Sequence, residues 1–380
     1  MSPISKKEYL VKIRDRYKRV SKSEKTRILD EFCNICNYNR KYAIRLIHSK
    51  SSTKQNLTKR GRKKHYTDPM IKEIITKIWV VTNLPCSKRL KAILPIWLPH
   101  YEDDIPDSVY LQLLSISPAS IDRLMKPDRD KFARRGLSTT KPGSLLKKQI
   151  PVKTDQWDET RPGFVEVDAV AHCGSSVAGM FAYTVNCVDI ASSWTEQRAV
   201  WGKGERGVLK SIENIENSLP FEILGFDCDN GSEFLNWHLV RYFVDRKKPV
   251  KFTRSRPYRK NDNAHVEGKN WTHIRQYVGY ERFDNIEIVE QLNDLYTSEW
   301  RLYFNFFIPS AKLVKKERIG SRIIKKYDYP KTPFQRILDS PYIPQNTKQV
   351  LQKQFEELNP FKLQKNMADK IKMIVKNVNR

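Results

Sequence analysis

Between residues 23 and 36 the apolar positions Ile28, Leu29, Phe32, Cys33 and Ile35 recur at the spacing of one helix face. A second such set, Ala43, Ile44, Leu46 and Ile47, follows a polar break at Asn37-Tyr38-Asn39. The pattern predicts two short helices joined by a tight turn. Helical spacing continues over 71–81, 88–94 and 109–114, and Ser117 ahead of Pro118 reads as an N-cap with proline at the first helical position. Leu114 to Leu124 is therefore expected to form a second helix-turn-helix. Beyond Trp157 the period falls to two. Residues 163–170 alternate so that Glu166 and Asp168 share one face of a strand and Val165 and Val167 the other. Strands are also predicted at 180–190, 194–200, 221–227 and 250–253, with helices at 205–219, 232–245 and 264–280. Three strands, then helix, strand, helix, strand and helix, is a mixed α/β order that places helices on both faces of one sheet. Two further helical patterns cover 347–358 and 367–375.

Charge changes the picture from a fold to a partner. The 380 residues carry 70 Lys and Arg against 43 Asp and Glu, a net charge of +27. Split along the chain, residues 1–66 are net +15, 67–153 are +6, 154–300 are −6 and 301–380 are +12. An acidic module between basic arms fits a protein that grips a polyanion. Four segments follow: 1–66, a helix-turn-helix with a basic tail; 67–153, a second helical DNA-binding region ending in a basic linker; 154–308, the α/β core; and 309–380, a basic C-terminal region. No run approaches the roughly 18 apolar residues of a membrane span, and no secretory leader is read at the N-terminus. The expected location is the cytoplasm, on DNA and away from membranes.

The basic residues group into candidate DNA contacts. Arg40, Lys41 and Arg45 decorate the second predicted helix, whose type of motif offers such a helix to the major groove. Lys59-Arg60-Gly61-Arg62-Lys63-Lys64 resembles the centre of an AT-hook without its following proline, marking Arg60, Arg62 and Lys63. From Arg246 to Lys260 there are eight Lys or Arg and no acid, including Arg254, Arg256, Arg259 and Lys260. Cys33 and Cys36 have the separation of a zinc pair, but both fall inside a predicted helix and His48 and His65 lie too far apart. They are read as structural thiols.

Three carboxylates stand on successive elements of the core. Asp168 lies along the first strand, Asp229 follows the fourth, and Glu267 sits in the first turns of the long helix. Sixty residues lie between the first two and thirty-seven between the last two. Hard oxygen donors in such a trio suit two Mg²⁺ or Mn²⁺ ions, which activate nucleophile and leaving group in phosphoryl transfer. Taken singly each carboxylate has a plainer reading, as turn residue, strand residue or helix N-terminal charge.

Val165-Glu166-Val167-Asp168, then Asp227-Cys228-Asp229-Asn230-Gly231-Ser232-Glu233-Phe234, then the run from Ser255 through Val266-Glu267 to Asn270 together resemble the retroviral-integrase-like DDE transposases. The similarity covers about residues 157–308, and the helical arm resembles that of bacterial insertion-sequence transposases. The resemblance implies a ribonuclease H-like core with a mixed five-stranded sheet. It makes Asp168, Asp229 and Glu267 the metal-binding triad, with two ions per site, and Asn270 a neighbour of the active site. It also implies hydrolysis at element ends and strand transfer into target DNA by a homo-multimer on double-stranded DNA. Two positions depart from the pattern or compete with it. Position 271 is Trp where integrases usually place a DNA-contacting lysine, leaving Lys269 as a substitute, and Asp227 rivals Asp229. The alternatives are a DNA-binding regulator with a relic core and a ribonuclease H-like nuclease that never joins ends.

Overall fold

The computed structural model describes residues 1–49, 65–132, 159–228, 233–234, 236–254 and 264–378. They divide into two compact units, Met1–His65 and Tyr66–Arg380.

The first unit holds α1 (Pro3–Arg19), α2 (Lys22–Cys36) and α3 (Arg40–His48). The helical spacing predicts α2 and α3; α1 is an addition, anchored by Ile13 against Ile28, Leu29, Phe32, Ala43 and Ile47. Ser21 and Glu24 form a capping box that starts α2. Asn37, left-handed at φ 53°, ends it, and Asn39 caps α3 through the Lys41 N–H at 3.0 Å. Cys36 is fully buried in this core and Cys33 is partly buried; both are free thiols.

In the second unit α4 (Pro69–Val81), α5 (Ser87–Trp97), α6 (Asp107–Ser115) and α7 (Pro118–Phe132) precede the sheet. As the sequence predicts, Ser117 accepts from the Ser120 N–H, at 3.2 Å, where α7 begins. The sheet is built from β1 (Phe164–Ala171), β2 (Ala182–Asp189), β3 (Thr195–Trp201), β4 (Gly225–Cys228) and β5 (Lys251–Arg254), with α8 (Glu205–Ser218) and α9 (Trp237–Val244) between the last three. Its order is β3-β2-β1-β4-β5, with β1, β2 and β3 antiparallel and β4 and β5 parallel to β1. This mixed five-stranded sheet with flanking helices is the architecture expected of a ribonuclease H-like core.

β4 is shorter than its apolar run predicts. The N–H groups of Leu224 and Gly225 both turn to the Gly163 carbonyl, at 2.7 and 3.1 Å, so pairing starts only at Gly225. α9 likewise starts late, because Asn236 caps it by accepting from Leu239 N–H at 3.0 Å.

Two-residue alternation gives the sheet one apolar and one polar face. Val165, Val167, Val185 and Phe226 pack with Val208, Ile212 and Ile215 of α8 and Leu239 and Phe243 of α9. The opposite face carries Glu166, Asp168, Asn186, Gln197 and Asp227. On that side lie α10 (Ala264–Lys269), a π-helical turn (Asn270–Arg275), α11 (Gln276–Val278) and α12 (Glu287–Leu295), which runs on through π-helical turns at Tyr296–Trp300 and Tyr303–Phe307. Asn293 and Asn305 complete the outer edge of β3. Each exchanges two hydrogen bonds of 2.8–2.9 Å with the backbone, at Ala199 and Thr195 respectively, in place of a neighbouring strand.

After the core come an antiparallel hairpin of β6 (Leu313–Ile319) and β7 (Arg322–Tyr327), then α13 (Pro333–Asp339), α14 (Gln345–Glu356) and α15 (Pro360–Val378). The segments that the sequence divides at 153 and 308 share one hydrophobic core, in which Ile75, Leu94 and Trp97 join Trp300, Phe304, Phe334 and Met367. Trp97 Nε1 donates to the Phe307 carbonyl at 3.2 Å and its ring meets those of Tyr303 and Phe361 edge-on.

Candidate active site

The parallel β1–β4 register sets Glu166 beside Asp227 and Val167 beside Cys228. On the other flank β2 sets Asn186 beside Asp168. These pairings concentrate polar side chains on the face that α10 crosses. Asp227 is buried and accepts a hydrogen bond from Thr253 Oγ1 of β5 at 2.7 Å.

Glu166 fixes the helix to the sheet. Its Oε2 accepts the N–H groups of His265 and Val266, at 2.9 and 3.0 Å, so a strand carboxylate occupies the N-terminus of α10 and answers donors that have no partner within the helix. The side chain is fully buried and, among the described residues, its Oε1 has no hydrogen-bond partner. Burial pushes its carboxyl up to about 8; the two backbone donors pull it down, and the charges of Asp227 and Glu267 push it up again. Glu267, in the first turn of α10, is itself exposed.

Asp168 is held by a relay. Asn270 Nδ2 donates to Asp168 Oδ2 at 2.6 Å, Asn186 Nδ2 donates to Asn270 Oδ1 at 2.7 Å, and Gln197 Nε2 donates to Asn186 Oδ1 at 2.8 Å. Asp168 Oδ1 accepts from the Ala169 N–H at 2.8 Å. The oxygens of Asn270 and Asn186 are each taken by the next donor, which leaves the Asn270 NH₂ facing the carboxylate. Asn270 opens the π-helical turn that follows α10.

Asp168 and Asn270 thus meet on the polar face, and Glu267 lies three positions before Asn270 in the chain. Asp229 follows Cys228 directly in the chain and lies outside the described residues, as do Arg60, Arg62, Lys63, Arg256, Arg259 and Lys260. Among the described residues no group of three His, Cys, Asp or Glu is disposed to hold a metal ion. The carboxylates here are hard oxygen donors, the chemistry that a divalent ion takes. Arg254 is exposed at the end of β5. Lys269 is partly buried, with Nζ 3.0 Å from His273 Nε2, and burial, then Arg89 and Arg336, lowers its ammonium to about 7. In the first unit Arg40, Lys41 and Arg45 are exposed on α3; Arg40 pairs with Asp30, and Arg45 lies 5.1 Å from the Tyr42 ring centre.

Sequence reasoning singles out Asp168, Glu267 and Asn270 but passes over Glu166, Asn186 and Gln197. A signal for Glu166 was present, since alternation puts it on the Asp168 face of a strand otherwise rich in valine. Nothing local marks Asn186 or Gln197.

No family model matches the chain. Solved structures with some likeness include a simian T-cell lymphotropic virus intasome in complex with PP2A regulatory subunit B56 gamma, at TM-score 0.31 and 14% identity over 45% of this chain and 69% of that one. Another is the catalytic core domain of BIV integrase, at TM-score 0.28 and 15% identity over 47% and 95%. No helix of the described residues is long and apolar enough to cross a membrane. In sequence, the chain is 37% identical over 347 residues to the uncharacterized protein y4rM of Sinorhizobium fredii (strain NBRC 101917 / NGR234), covering 88% of this chain and 96% of that protein. A match of that identity over nearly the whole of both chains makes this protein a member of the same family as y4rM.

Proposed function

We propose that the chain is a DNA transposase of the DDE class, cutting a phosphodiester at an element end and joining the freed 3′-hydroxyl to target DNA. The observation that carries this reading is that Asn270 holds Asp168 on β1 while Glu166 of the same strand anchors the start of α10, the helix that carries Glu267. Asp168, Asp229 and Glu267 would hold two divalent ions, Mg²⁺ or Mn²⁺, with Asp227 as the rival second ligand. Bound there, the ions would supply nucleophile activation and charge neutralisation at the leaving oxygen.

The chain's own residues set up that chemistry. Asn270 aims the Asp168 carboxylate, and Glu166 keeps α10 from drifting away from β1. The basic run from Arg246 to Lys260, just ahead of Glu267, carries the charge to neutralise the substrate backbone beside the acidic site. Arg40, Lys41 and Arg45 on α3 supply cations for recognising element ends. Two ends are joined in concert, so the working form is a homo-multimer on double-stranded DNA.

The deciding experiment uses purified protein, labelled element-end oligonucleotides and Mg²⁺. Asp229→Ala abolishes cleavage and leaves DNA binding intact; retained cleavage overturns the assignment. Wild type that cleaves without strand-transfer products is a nuclease, and wild type that binds without cleaving is a regulator.

A further inference from the structure

The β6–β7 hairpin stands apart from the five-stranded sheet as a separate two-stranded one. Its strands join through Gly320-Ser321, with Gly320 left-handed at φ 59°, as a two-residue hairpin loop requires. Every residue of β7 is exposed, and Val314, Ile319, Ile323, Ile324 and Tyr327 are each more than half exposed. In β6 all residues but the partly buried Leu313 and Lys316 are exposed.

Its charges oppose its own pairing. The register sets Lys315 opposite Lys326 and Lys316 opposite Lys325. Directly opposed like charges destabilise a strand pair, and a lone two-stranded hairpin is marginal in water to begin with. One face carries Lys316, Arg318 and Lys325 around Ile323 with no carboxylate. The other carries Lys315, Arg322 and Lys326, and there Glu317 pairs with Lys315 at 2.9 Å. An arrangement that repels itself in isolation is relieved by a polyanion. A second copy of the same ribbon would add to the repulsion.

Dimensions narrow the occupant. Two strands about 4.8 Å apart and roughly 20 Å long make a ribbon that the major groove, about 12 Å wide, admits. There the cations reach phosphates on both sides, and Ile323 or Ile324 can meet thymine methyl groups.

We propose that the β6–β7 hairpin is a DNA-binding ribbon that enters the major groove of duplex DNA, with Lys316, Arg318 and Lys325 as its principal phosphate contacts. This rests on the DNA-processing reading above and gives it a surface outside the carboxylate site.

The test titrates the full chain against a fluorescein-labelled 30-base-pair duplex by anisotropy over a range of KCl concentrations. Three proteins are compared: wild type, K316A/R318A/K325A, and K353A/K362A/K365A, whose three exposed lysines lie on α14 and α15. The hairpin variant lowers the salt slope by about 2 to 3 and weakens binding at least about tenfold, while the control changes far less. An unchanged slope in the hairpin variant, or an equal loss in the control, overturns the proposal. So does a change in the sedimentation of the hairpin variant without DNA, which would make the ribbon a protein interface. Dimethyl sulfate protection of guanine N7 is lost in the hairpin variant if the major groove is the one entered; protection unchanged overturns that placement. The two readings fail separately. Wild type that binds DNA through the hairpin yet never cleaves removes the transposase; wild type that cleaves with an unaltered hairpin-variant slope removes the ribbon.

Discussion

Asn270 and Asp168 lie 102 positions apart in the chain and meet at 2.6 Å, Nδ2 to Oδ2. The amide is oriented by Asn186 behind it, so the contact is a directed one. Replacing Asn270 with Ala removes the donor that aims the carboxylate and leaves the Asn186 amide facing a void. Cleavage by N270A is expected to fall about 10- to 100-fold, the scale seen when groups orienting a metal ligand are lost. N270D, which sets a second carboxylate against Asp168, is expected to be worse still. Oligonucleotide cleavage with DNA affinity measured in parallel checks this; wild-type rates in N270A would sink it.

Glu166 predicts a pH signature in stability. Unfolded, its carboxyl titrates near its ordinary 4.5; folded, burial holds it at about 8. The folded state therefore keeps the proton more tightly, so the group's contribution is most favourable below about 4.5 and declines as pH rises through the folded value. E166Q keeps an oxygen for the His265 and Val266 N–H groups and cannot ionise. With chelator present it is expected to match wild type near pH 4.5 and exceed it by on the order of 1–3 kcal/mol at pH 8.5. Urea unfolding at both pH values decides; a difference that does not vary with pH counts against it.

Divalent ions should stabilise the folded chain through the carboxylate cluster. Mg²⁺ at about 100 times its dissociation constant adds about 2.7 kcal/mol if it binds the folded form alone. Calorimetry of wild type against D168N/E267Q, with and without Mg²⁺, reads this out. An equal shift in both proteins places the metal elsewhere.

The helices ahead of the sheet belong to its core, and Trp97 is their keystone contact with Tyr303, Phe361 and the Phe307 carbonyl. W97A is expected to cost about 3–5 kcal/mol. A fragment 66–380 should unfold cooperatively, whereas 154–380 should aggregate because the apolar side chains that meet α4 to α7 are laid bare. A well-folded 154–380 fragment by calorimetry would refute this.

What the sequence determined by itself is local periodicity and what rides on it. Val165 and Val167 against Glu166 and Asp168 define two faces of a strand wherever that strand lies, because alternation is a property of extended backbone. The break at Asn37 to Asn39, the Ser117 cap and the position of Glu267 early in its helix are legible for the same reason. What only the tertiary structure decided is which remote groups complete one another. Glu166 serves the N–H groups of residues 99 and 100 positions later, Asn186 aims Asn270, and the amides of Asn293 and Asn305 close the β3 edge. Those pairings depend on sheet register and on how far α10 and α12 advance along the polar face. Neither the period of a helix nor that of a strand contains that distance.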